Sequence, residues 1–79
     1  MSTEAETFAS AFRSARIERG HSQTEAALAL GVSREAVSQW ESGSNSPSDR
    51  RWATIADYIG VDWRRVEELV AAAHRQRSL

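Results

Sequence analysis

Ser22–Glu41, SQTEAALALGVSREAVSQWE, reads as two short helices joined by a tight turn at Gly31-Val32. Ser22 can cap the first helix, because its hydroxyl accepts an otherwise unpaired N–H of the opening turn, and Glu25 three residues on completes a capping-box pattern. Ala26, Ala27 and Leu30 recur at helical spacing and give that helix one apolar stripe. Gly31 follows directly, at a place where a left-handed residue closes a helix without a Cβ to clash. Ser33 caps a second helix whose buried edge is Val37 and Trp40. The other face carries Arg34, Glu35, Ser38 and Gln39, side chains that hydrogen-bond readily. A helix anchored on one side and offering Arg and Gln on the other suits insertion into the DNA major groove.

Extended outward, the run Phe12–Gly43, FRSARIERGHSQTEAALALGVSREAVSQWESG, resembles the helix-turn-helix of the phage repressor/Cro family, also called the XRE family. The matching residues are Arg13, Arg16, Gly20, Ser22-Gln23, Ala27, Leu30-Gly31-Val32-Ser33, Val37-Ser38, Trp40-Glu41 and Gly43. They continue through Pro47-Ser48 and Ile55-Ala56 to Ile59-Gly60-Val61, in register and without insertion. The resemblance covers roughly Phe8 to Leu69. His21 and Ala26 depart from it, standing where the family usually has Leu, and Trp52 replaces a usual aliphatic. The resemblance implies a lambda-repressor-like, all-α bundle of about five helices with its helix-turn-helix at 22–41. It also implies that Arg16 pairs with Glu41, the acid at the end of the second helix of the motif.

Composition sets the outer bounds. Seventy-nine residues make one small domain. There is no Cys, so neither disulfides nor thiolate metal sites can form. The opening MSTEAETF is polar and acidic, unlike a secretory signal, and no apolar run is long enough to span a membrane. A cytoplasmic protein is expected, in a bacterial or phage-infected cell if the resemblance holds. Charge argues the other way from the motif. Ten basic residues, all Arg, face eleven acids for a net of −1, where a strongly basic balance would point to nucleic acid.

Residues 1–5 are expected to be a disordered tail, and 6–75 a single DNA-binding domain. A first helix from about Glu6 to Arg19 presents Phe8, Ala11, Phe12 and Ala15. Residues 43–49, GSNSPSD, form a shaped connection with the only Pro. Ser48 is expected to cap a fourth helix reaching Ile59, with Trp52, Ile55, Ala56 and Ile59 at helical spacing. Asp62 caps a fifth, 62–75, whose apolar residues exceed a narrow stripe. Part of that excess seals the core, and the rest, chiefly Trp63, Val66 and Val70, is read as a dimerisation surface.

The function expected is sequence-specific binding of double-stranded DNA by a homodimer that regulates transcription, most simply a repressor on a palindromic operator. Arg34, Glu35, Ser38 and Gln39 are the expected base readers. Gln23, Ser22, Ser33, Ser44, Asn45 and Arg50 are the expected phosphate contacts. A second reading is a module that chiefly binds protein, such as an antitoxin with its toxin, or a coactivator. An enzyme is the weakest reading: no Ser/His/acid set, Gly-rich phosphate loop or metal-ligand spacing occurs, and His21 and His74 are isolated. No cofactor or metal is expected.

Overall fold

Three capping devices divide the first half of the chain into helices. Thr7 opens α1 (Phe8–Glu18): its Oγ1 accepts from Ser10 N at 3.3 Å, and Ser10 Oγ accepts in return from Thr7 N at 3.1 Å. This reciprocal box starts the helix two residues later than the apolar spacing alone suggests. Ser22 opens α2 (Gln23–Leu30) in the same way, with Glu25 N donating to Ser22 Oγ at 3.0 Å and Ser22 N donating to Glu25 Oε1 at 2.7 Å. The Ser22 backbone N–H, and after it the Ser22 side chain, hold the Glu25 carboxyl below its ordinary value. Gly31 closes α2 in the left-handed conformation, φ 71° and ψ 34°. The chain can therefore turn at once into α3 (Arg34–Ser42), opened by Ser33 Oγ accepting from Ala36 N at 3.1 Å.

The computed structural model describes residues 7–77, with side chains described to residue 73. The tail expected over 1–5 lies outside the described residues. After α3 comes a single 3-10 turn, Asp49–Arg51, then α4 (Trp52–Ile59) and α5 (Trp63–Arg77). The fold is all-helical, five α-helices among the described residues. Ser48 is not the side-chain cap that its type suggests. Arg51 N bonds the Ser48 carbonyl at 3.0 Å to close the 3-10 turn, and the hydroxyl makes no capping bond. The entry to α4 is fixed instead by Trp52, whose indole N–H donates to the Pro47 carbonyl at 3.3 Å. Asp62 does cap α5, accepting from Arg64 N at 2.8 Å.

All five helices contribute to one core. Phe12 is its centre, stacked on Tyr58 at 5.4 Å between ring centroids and meeting Trp40 edge-on at 5.6 Å. Phe8 completes the aromatic group at 5.8 Å from Phe12. Rings of this size each bury a large apolar area, which matters in a chain this small. Val37, Ile55 and Val66 fill the space between the helices. His21 lies with its ring against Tyr58, and its Nδ1 is 2.8 Å from the phenol oxygen. Burial pushes that phenol above its ordinary value, which keeps it neutral.

The last helix corrects one expectation. Val66 and Val70 are 0% and 6% exposed and belong to the core of the single chain, so neither is available to a second copy. A 3.6-residue period puts 66, 69, 70 and 73 on one side, and that side faces α1 and α4. Trp63 is 46% exposed and is the one of the three that remains on the surface.

Candidate nucleic-acid interface

Helix α3 carries the contrast on which the site depends. Val37 and Trp40 are buried, while Arg34, Glu35 and Gln39 are exposed and Ser38 is half-buried. Residues four apart stand one above the other on a helix, so Arg34 adjoins Ser38 and Glu35 adjoins Gln39. The four side chains thus form one continuous polar strip. Arg34 and Glu35 make no bond within the described residues, so their donors and acceptors are open to a ligand.

The strip is held rigidly from behind. Arg16 of α1 donates through Nε to Glu41 Oε2 at 2.6 Å and through Nη2 to Glu41 Oε1 at 3.1 Å. Its Nη1 reaches the His21 carbonyl at 2.8 Å, in the link between α1 and α2. Gln23 Nε2 adds a third donor to Glu41 Oε1 at 3.2 Å. The Arg16 and Glu41 side chains are only 13% and 6% exposed. The carboxylate bond holds Arg16 above its ordinary value, so it stays charged. One acid at the end of α3 therefore ties α3 to α1 and to the start of α2.

The residues expected on phosphate divide into two kinds. Ser22 and Ser33 use their oxygens to cap helices, and each hydroxyl keeps a proton that it can donate outward. Gln23 gives one amide hydrogen to Glu41 and keeps a second at the first turn of α2, where the helix dipole favours an anion. The 43–46 loop is more committed. Ser44 Oγ pairs with Ser42 Oγ at 2.9 Å, and Asn45 Nδ2 donates to Gln39 Oε1 at 3.2 Å. Arg50 is exposed, yet it lines a groove with Asp49, Trp52, Ala53 and Trp63, so one surface holds both it and the residue expected at a dimer contact.

Arg13 was not among the expected site residues. It is exposed and lines a shallow groove with Arg16, Gln23, Ser38, Glu41 and Ser42, beside the polar strip of α3. The available signal is its spacing: three residues before Arg16, it shares that residue's helix face. Among the described residues no group of three or more His, Asp or Glu side chains is placed to hold a metal ion. None of the helices there is long and apolar enough to cross a membrane.

A family model described as helix-turn-helix matches residues 12–66, more than half of the chain. The chain belongs to the XRE, or phage repressor/Cro-like, helix-turn-helix family. No curated protein matches it. As an XRE-type helix-turn-helix protein it is a regulator that binds double-stranded DNA. The match begins at Phe12, the centre of the aromatic core, and ends at Val66, buried in α5. The XRE unit is thus the packed body of the domain and not only the α2–α3 pair.

Proposed function

We propose that the protein is a transcriptional repressor, working in the cytoplasm as a homodimer on a palindromic operator, with α3 in the major groove. The observation that carries this reading is the polar strip of exposed Arg34, Glu35 and Gln39 with half-buried Ser38, on a helix tied from behind by Arg16 and Glu41. Arg34 has the planar fork that matches guanine O6 and N7, and Glu35 can accept from cytosine N4. Arg13, Gln23, Ser22 and Ser33 supply donors to the flanking phosphates, which fix register and carry no sequence information.

A single domain of this size offers few base contacts, and two-fold pairing doubles them. Residues 6–75 act as one unit, and its self-contact is the surface around Trp63, with Val61 exposed just before it and half-buried Trp52 across the groove. An isologous contact there would set the two reading helices about 34 Å apart, one turn of DNA.

Selection of bound sites from random duplex DNA tests all of this together. A palindromic motif with half-sites one helical turn apart is expected. Arg34→Ala should weaken binding by about 1–3 kcal/mol and flatten preference at one base pair per half-site. Equal weakening on every sequence would make Arg34 a phosphate clamp and move the reading face elsewhere.

A further inference from the structure

The carboxamide of Gln39 is an exposed polar group on the polar strip of α3 whose oxygen already accepts one bond from the protein. Its orientation follows from a chain of bonds that starts at the backbone. Ser46 N–H can only donate, and it donates to Asn45 Oδ1 at 3.1 Å. That fixes which end of the Asn45 amide is oxygen and turns Nδ2 towards Gln39. Nδ2 can only donate, so the Gln39 atom that it meets at 3.2 Å is the acceptor Oε1. The backbone repeats the pairing, because Asn45 N–H donates to the Gln39 carbonyl at 3.3 Å and Ser44 N–H to the same oxygen at 3.1 Å. Gly43, at φ 80°, makes the turn that brings the loop back over this last part of α3. Residue 45 is therefore clamped to residue 39 by main chain and side chain together.

A freely rotating Gln recognises adenine with both ends of its amide, donating to N7 and accepting from N6. The Gln39 oxygen keeps a second lone pair, but Asn45 Nδ2 draws it towards the 43–46 loop, and the group left to face a base is then mainly the NH2. We infer that Asn45 is a positioning residue for base specificity: it holds Gln39 Oε1 inward, so that Gln39 reads an acceptor edge, guanine O6/N7 or thymine O4, in preference to adenine. The inference rests on the proposal that α3 reads DNA. It assigns Asn45 to Gln39 and not to phosphate.

The test compares motifs selected from random duplex DNA by the wild-type chain, Gln39→Ala, Asn45→Ala and Asn45→Asp, each first checked by thermal melting. Gln39→Ala locates the base pair that Gln39 contacts by flattening preference there. At that pair the wild type should favour guanine or thymine. Asn45→Ala releases the oxygen and should raise adenine relative to the wild-type base by about tenfold. Asn45→Asp keeps an acceptor for Ser46 N–H but offers Gln39 no donor. A carboxylate there takes Gln39 Nε2, turns Oε1 outward, and should favour adenine or cytosine. Asn45→Ala in the Gln39→Ala background should change nothing at that pair, which a merely structural loop effect would not predict. The inference is overturned if the wild type already prefers adenine there, if Gln39→Ala flattens no position, or if Asn45→Ala leaves the preference unchanged. A wild-type chain that selects no motif at all defeats the DNA-reading proposal as well, so the two failures are distinct.

Discussion

Replacing Glu41 by Gln keeps the size and shape of the side chain and removes only its charge and one acceptor. The carboxylate takes three donors, Arg16 Nε at 2.6 Å, Arg16 Nη2 at 3.1 Å and Gln23 Nε2 at 3.2 Å. An amide has one oxygen, so at least one of the two Arg16 bonds must then face an NH2 group, donor against donor. The guanidinium stays charged, with 13% of its side chain exposed. A hydrogen bond to a charged partner contributes about 1.5–3 kcal/mol, and a stranded buried charge raises the cost of losing it. Because the site is partly solvated we expect Glu41→Gln to destabilise folding by about 2–3 kcal/mol. For a domain of this length that lowers Tm by roughly 8–24 °C. Removing both charges with Arg16→Met and Glu41→Leu should recover only part of the loss. The His21 carbonyl and the Gln23 amide would still lack the partners they have now. Reversible melts followed by circular dichroism compare both variants with the wild type. A Tm shift for Glu41→Gln below about 4 °C would mean that the network contributes little and that the reading helix is held by apolar packing alone.

Gly31→Ala should cost about 1–2 kcal/mol, with Gly31→Asn cheaper, because φ is 71° and no atom lies within 4 Å of the added Cβ; denaturant titration separates this backbone effect from a clash. The Ser22–Glu25 box makes acid stability testable. The Glu25 carboxyl is held below its ordinary value, so its contribution is present above that value and lost as pH falls through the lower folded one. The Tm gap between wild type and Glu25→Gln should therefore close as pH is lowered through that window, and a gap independent of pH would refute the assignment. Trp63→Arg should convert a dimer to monomer in sedimentation at micromolar concentration with little change in melting, since Trp63 is exposed; a wild type that stays monomeric on its operator removes the interface.

The parts of this fold that sequence made legible are those fixed by neighbours along the chain. Ser22 with Glu25, Gly31 and Ser33 state where α2 ends and α3 begins, because capping bonds span three residues and a left-handed turn needs one glycine. The aromatic core was equally readable from the spacing of Phe8, Phe12 and Trp40. What escaped depends on approach between distant segments. The width of the apolar face on α5 is visible in sequence, but which part meets α1 and α4 is not, so sequence alone leaves Val66 and Val70 on the surface. A cap-type residue such as Ser48 does not say whether the first turn is α or 3-10. The Asn45–Gln39 bond depends on how the 43–46 loop folds back, and residue types alone leave Asn45 equally suited to phosphate.

The net charge of −1 is reconciled with DNA binding by asking which charges are already used. Arg16 and Glu41 neutralise each other behind the reading helix. Arg19 donates twice to the Tyr58 carbonyl and lies 4.5 Å over its ring, and Glu25 is turned to a backbone N–H. Glu67 and Glu68 are on α5, the latter beside Arg65 at 3.2 Å. On and beside α3 this leaves Arg13 and Arg34 against Glu35. A local excess this small gives few phosphate contacts and little non-specific attachment, since that term scales with the number of phosphates neutralised. On the proposed reading by α3, affinity then depends on hydrogen bonds to base edges, whose worth falls quickly when the donor is poorly aimed. If α3 reads bases as proposed, a protein with few cations to hold it on DNA has the more need of that helix fixed in place, and the Arg16–Glu41–Gln23 bonds tie it to α1 and α2.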